Sequence, residues 1–269
     1  MLVFASITPH PPIIVQGIGK DNDLENVKET IKAMEELSRE FEKAQPDTTI
    51  VISQHAPLDY NAYGLNSAQS LAGDFKDFGS DLNYKFENDL VLVDTIIEEM
   101  DKNSVPLSPH REVLDHGTLV PLHFLTQNYK TKVVSLSFSF EDLPSHYVYG
   151  QIIGEVIRRS TKKIAVIASG DLSHRLIPGA PAGFNPKGKE FDKKLIELLE
   201  AKDVEGILNL DEAFVEAAGE CGLRSVVILL GILNGQFDFK KLSYEGPFGV
   251  GYLVAKFMSS RAATRDPIL

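Results

Sequence analysis

Three short runs rich in β-branched and apolar residues, at 2–7, 48–53 and 164–169, each stop within a few positions at a histidine: His10, His55 and His174. Continuous apolar runs of this length, bounded by Pro or Gly, read as strands buried on both faces. The stretches between them carry a helical period. Leu24, Val27, Ile31, Met34, Leu37 and Phe41 recur at steps of three and four among charges, predicting a helix of about six turns. Val93, Ile96, Ile97 and Met100 mark a second helix, Tyr149, Ile152, Ile153, Val156 and Ile157 a third, and Phe191, Leu195, Leu198 and Leu199 a fourth. Residues 132–138 read as another strand, 223–235 as a helix buried on most of its circumference, and 239–244 and 250–256 as closing strands. Strands alternating with helices imply an α/β fold: a mostly parallel central sheet with helices on both faces, in three α/β/α layers. Ligands of such sheets bind beyond the carboxyl ends of the strands. His10, His55 and His174 are therefore expected along one edge.

A chain of 269 residues fits one such unit. With no internal repeat and no long linker, residues 1–259 read as a single domain and 260–269 as a ragged tail. The formal net charge of −11 opposes polyphosphate, and no basic stripe offsets it, so nucleic acid is not an expected partner. No apolar run approaches the roughly 20 residues of a membrane span. The first residues lack a basic leader and cleavage site and read as a strand. The single cysteine, Cys221, rules out an internal disulfide framework and fits a reducing compartment, the cytoplasm. Nucleotide machinery is missing too: no Gly-rich turn opens a helix, and no nucleophile elbow occurs.

Histidine is the commonest metal ligand, and two imidazoles plus one carboxylate leave open positions on one face of Fe(II). His10, in Thr8-Pro9-His10-Pro11-Pro12, and His55, in Gln54-His55-Ala56-Pro57, sit on loops whose prolines reduce the entropy lost on fixing a ligand. They are the expected metal ligands. His174, after Gly170-Asp171-Leu172-Ser173, is left for proton transfer. His116, in Asp115-His116-Gly117 at a loop-to-helix junction, is placed to donate to a substrate oxygen. The acid falls in Gly219-Glu220-Cys221-Gly222. Glu220 suits hard Fe(II), while Cys221 is the soft alternative for Zn or Cu, and both precede the apolar helix. His123 reads as a core histidine, His110 and His146 as surface ones.

Together these segments, with Val120-Pro121-Leu122, resemble the class III extradiol dioxygenases of the LigB type over nearly the whole chain. The resemblance implies Fe(II) on His10, His55 and a glutamate, for which Glu220 stands here. It implies His174 as the acid/base and His116 on the substrate side. It also implies a catechol or aminophenol and dioxygen as small-molecule partners, and a homodimer or small partner subunit. The segment Glu220-Cys221-Gly222-Leu223-Arg224 is equally similar to the Memo proteins of the same fold. That likeness implies a metal-binding or redox role without ring cleavage, on Zn or another divalent metal.

Overall fold

The structure is a computed structural model and describes residues 1–259; the tail expected at 260–269 lies outside the described residues. Four strands build the parallel centre: β1 (Leu2–Thr8), β2 (Thr48–Ile52), β7 (Lys132–Leu136) and β8 (Ile164–Ser169). β1 pairs with β8, and β2 with both β7 and β8, all parallel. β3 (Tyr63–Asn66) runs antiparallel to β7 and parallel to β6 (Leu107–His110), while β9 (Phe237–Glu245) and β10 (Tyr252–Ser259) form an antiparallel hairpin on the far side of β1. The full order is β6-β3-β7-β2-β8-β1-β10-β9, and a separate ribbon pairs β4 (Ser70–Asp74) with β5 (Asn83–Glu87).

The pleat sends alternate residues of each strand to opposite faces, which divides the core. Ile50, Ile52, Val134, Leu136 and Val166 face α3 (Leu90–Lys102), α5 (Leu143–Arg159), α6 (Pro186–Ala201) and α9 (Leu223–Leu233). Val51, Val133, Ala165 and Ile167 face α2 (Lys28–Ala44) and α4 (His116–Leu125). The three expected layers are therefore present. α7 (Val204–Leu208) and α8 (Glu212–Ala218) complete the helices between α6 and α9. Among the described residues no helix is long and apolar enough to cross a membrane.

Two expectations are refined. The helix expected from Leu24 to Phe41 is broken: α1 (Asp21–Asn26) ends where Val27, fully buried, leaves helical geometry at ψ 22°. The helix expected over 223–235 stops at Leu233, because Asn234 turns into the left-handed region at φ 49° and closes it.

Candidate metal centre

The carboxyl ends of β1, β2 and β8 lie side by side, and the loops after them bring histidines together from distant parts of the chain. The Nε2 atoms of His10 and His55 are 3.1 Å apart. The His55 and His116 rings lie 4.0 Å centre to centre, and His10 and His116 5.5 Å. His10, His55 and His116 each offer a ring nitrogen within 4.8 Å of the others. His174 lies close enough for its charge to act on both His10 and His55.

Neighbouring groups fix how these rings point. Ser169, the last residue of β8, donates its one hydroxyl proton to the Gly117 carbonyl. Its oxygen can then only accept from His10 Nδ1, 3.0 Å away. His10 must be the Nδ1-protonated tautomer, and its Nε2 lone pair faces His55. The His10 amide is held in turn by Asp171 Oδ1 at 2.9 Å. In His174, Nδ1 lies 3.1 Å from the Leu172 carbonyl; a carbonyl only accepts, so Nδ1 carries the proton and Nε2 is free to take another.

Asp115 caps α4: its Oδ1 accepts from the Thr118 amide at 3.0 Å and from the Ser53 hydroxyl at 2.6 Å. Ser53 Oγ also accepts from the His55 amide at 3.2 Å. One carboxylate therefore ties the start of the helix bearing His116 to the loop bearing His55. Gly117 makes that contact close: a Cβ there would stand 2.4 Å from Ser53 Oγ and 3.2 Å from His55 Cδ2.

Burial keeps the inner rings neutral. It lowers His10 well below the usual imidazole range, with the neighbouring histidines adding to the effect. It takes His116 down to about 4, aided by His55 and opposed by Asp115, and it lowers His174 against the opposing effect of the Leu172 and Gly219 carbonyls, which accept hydrogen bonds. Neutral imidazole is the form that binds metal. The pair also passes a test of fit. Two nitrogens each about 2.1 Å from one ion, at right-angle to tetrahedral separation, stand roughly 3.0–3.4 Å apart, and 3.1 Å falls in that range. Two lone pairs facing at this distance repel unless a proton or a cation sits between them.

The acid segment reaches the centre because Gly170 and Gly222 let two backbones touch, a Cβ on Gly170 standing 2.2 Å from Gly222 Cα. Glu220 directs Oε2 to the Leu223 amide at 2.6 Å, closing the start of α9, and it is not within the group formed by His10, His55 and His116. Cys221 Sγ lies 3.6 Å from His10 Nε2 and accepts from the Asp171 amide at 3.3 Å. Of the other histidines, His123 takes a 2.6 Å hydrogen bond with the Tyr84 hydroxyl and is only partly buried. His146, expected at the surface, is fully buried, its Nδ1 2.6 Å from the Asp142 carbonyl and its Nε2 3.2 Å from the Ser139 carbonyl. The loop after β7 folds back over it. His110 is also half-buried. Ser169, Ser53 and Asp115 had no role assigned from sequence; the only signal was their place at the strand and helix ends that carry the histidines.

Residues 4–255 match the family described as the catalytic LigB subunit of aromatic ring-opening dioxygenase. The chain belongs to the LigB family. A Clostridium acetobutylicum protein known by a locus name alone is 35% identical to this LigB chain over 263 residues, 93% of it; the chain spans only 56% of that relative's length. A 3,4-dihydroxyphenylacetate 2,3-dioxygenase of Escherichia coli is 29% identical over 221 residues, covering 76% of the chain and 80% of the enzyme. The beta subunit of a 2-aminophenol 1,6-dioxygenase from a Pseudomonas species is 26% identical over 248 residues, covering 81% and 80%. The LigB fold recurs in the crystal structure of an uncharacterized Escherichia coli protein, with a TM-score of 0.70 at 16% identity, over 94% of this chain and 99% of that one.

Proposed function

We propose that this chain is a non-haem Fe(II)-dependent extradiol dioxygenase that opens the ring of a catechol-type or aminophenol-type substrate with dioxygen. The observation that carries the reading is the facing pair of Nε2 atoms on His10 and His55, 3.1 Å apart, with the His10 tautomer set by Ser169. His10 and His55 would hold the metal, with Glu220 as the carboxylate if its hydrogen bond to Leu223 opens. Bound there, Fe(II) would supply a common meeting point for diol and dioxygen and the electron exchange between them. His174 would take the substrate's hydroxyl proton on its free Nε2 and return it later, a role suited to a ring whose basicity burial has lowered. His116, at the start of α4 and against Phe78 at 5.2 Å, would orient the substrate oxygen from the opposite side. The relatives named for 3,4-dihydroxyphenylacetate and 2-aminophenol support this substrate class, and the single cysteine supports a cytoplasmic setting. Anaerobic loading with Fe(II), then oxygen uptake across a panel of catechols and aminophenols, tests the proposal. Uptake with at least one is expected; none, from protein shown to hold iron, overturns it.

One observation favours a second reading. Cys221 Sγ is 3.6 Å from His10 Nε2, whereas Glu220 is committed to the helix start. A His10–His55–Cys221 site would suit Zn or another soft divalent ion and would make this a Memo-like metal-binding or redox protein. Metal content of Cys221→Ala beside Glu220→Gln decides between them: loss only in the first selects the thiolate site, loss only in the second the carboxylate site.

A further inference from the structure

The segment after β8 that carries His174 has no regular structure of its own, and other elements hold its amides one by one. Leu172 donates to the Gly251 carbonyl at 2.8 Å, His174 to that of Gly219 at 3.1 Å and Leu176 to that of Gly249 at 3.0 Å. Ser173, the residue before the histidine, is held at four points. Its carbonyl accepts from the Gly251 amide at 2.8 Å. Its hydroxyl donates to the Ala218 carbonyl at 2.7 Å and accepts from the Arg175 amide at 3.0 Å. Its own amide donates to Asp192 Oδ1 at 2.8 Å. Of these four partners only Asp192 is a side chain, and the metal binding and proton transfer described above make no use of it.

Asp192 projects from α6, is 1% exposed and has no cation acting on it. Its second oxygen accepts from the Tyr244 hydroxyl of β9 at 2.6 Å. The chain entering β10 presses on the same carboxyl: a Cβ on Gly251 would stand 2.1 Å from Asp192 Oδ2 and 3.0 Å from Leu172 Cβ. Ionised or protonated, Oδ1 can accept from Ser173, because an added proton can sit on Oδ2 and point to Tyr244. A carboxyl taken out of water with no cation beside it costs stability, and an apolar side chain of similar volume often suits such a place as well or better. Stability therefore gives a poor account of Asp192, whereas its grip on the residue next to His174 gives a direct one. We propose that Asp192, steadied by Tyr244, is a positioning residue: by fixing the Ser173 amide it aims His174 Nε2 at the substrate hydroxyl whose proton His174 takes. The proton it names rests on the ring-cleavage reading, while the aim of the ring is a property of the chain itself.

The test compares Asp192→Ala, which leaves the Ser173 amide unpaired, with Asp192→Asn, which keeps an oxygen for it. Turnover of 3,4-dihydroxyphenylacetate and 2-aminophenol is followed in Fe(II)-loaded protein of verified metal content, and the ¹⁵N signals of the imidazoles are read in the metal-free full-length chain. In Asp192→Ala, kcat should fall about tenfold to hundredfold, with KM and iron content within about twofold of wild type, and His174 should show a mixture of tautomers. Asp192→Asn should restore both kcat and a His174 protonated at Nδ1. A role confined to stability would lower the unfolding midpoint of Asp192→Ala and leave kcat per bound iron and the His174 signals unchanged; that result overturns the proposal, as does an equal loss in both variants. If Asp192→Ala does not fold, Tyr244→Phe decides: a kcat lower by about two- to tenfold with shifted His174 signals supports the proposal, and no change in either overturns it. If wild type turns over neither substrate, it is the ring-cleavage reading that suffers, and the His174 signals then decide the positioning role alone by the same comparison.

Discussion

Ser169→Ala tests whether the His10 tautomer is set by the protein. The substitution removes one oxygen that does two things: it accepts from His10 Nδ1 at 3.0 Å and donates to the Gly117 carbonyl. Both groups are buried, and Ser169 is fully so. Stranding one buried carbonyl costs about 1–3 kcal/mol of stability. For the metal, loss of an outer partner that orients a ligating histidine typically weakens affinity 10- to 100-fold, or about 1.4–2.8 kcal/mol. Freed from Ser169, His10 gains access to the tautomer with Nε2 protonated, which cannot bind. The assay is competitive metal titration, read beside the ¹⁵N shifts of the imidazole nitrogens. The expected result is a 10- to 100-fold rise in Kd with a mixed tautomer signal for His10, while Ser169→Thr, which keeps the hydroxyl, restores both. Unchanged affinity with His10 still protonated at Nδ1 would refute the reasoning, because something other than Ser169 would then be orienting the ring.

Gly117→Ala should cost about 2 kcal/mol through overpacking and weaken metal binding at least tenfold, since its Cβ would press on Ser53 Oγ and His55 Cδ2; chemical unfolding and metal titration check both. Asp192, which accepts from the Ser173 amide and the Tyr244 hydroxyl, is raised by burial to about 7. A carboxyl raised on folding favours the folded state fully below its unfolded value near 4, and that advantage is lost as pH rises through 7. Asp192→Asn should therefore remove a downward slope of at most about 1.4 kcal/mol per pH unit across that window, seen as a stability difference between pH 5 and pH 8; parallel pH profiles would count against it. Lys162→Met should cost about 2 kcal/mol, because Asp89, 1% exposed, would keep only the Thr48 hydroxyl and Leu92 amide after losing the ammonium 2.6 Å away; urea unfolding measures it, and a neutral result would show that the pair adds nothing.

Legibility in the sequence followed burial. β1, β2 and β8 are covered on both faces, so each reads as a largely apolar run, and the histidines just past their ends could be placed before any coordinates. β3 to β6 left almost no mark. β5 alternates exposed and half-buried residues in Asn83-Tyr84-Lys85-Phe86-Glu87, a pattern shared with many loops, and β6 contains Pro109, tolerated because it is an edge strand. His146 was misjudged because its partners are carbonyls, invisible in a list of side chains. The choice between Glu220 and Cys221 could not be read either: a loop that passes over Gly170 and Gly222 turns neighbouring residues in opposite directions, one to the helix start and the other to His10.

The histidines that meet at this edge come from three loops and the start of α4, spread from position 10 to position 174. No fragment of the chain holds two of them near each other without the sheet already formed. A metal ion therefore has nothing to bind until the last parallel strand is docked, and every increment of its affinity appears as stability of the finished fold, growing as RT ln(1 + [L]/Kd). In the proposed reading, shortage of the metal and misfolding would then reinforce one another, and the amount of intact protein in a cell would rise and fall with the supply of the ion.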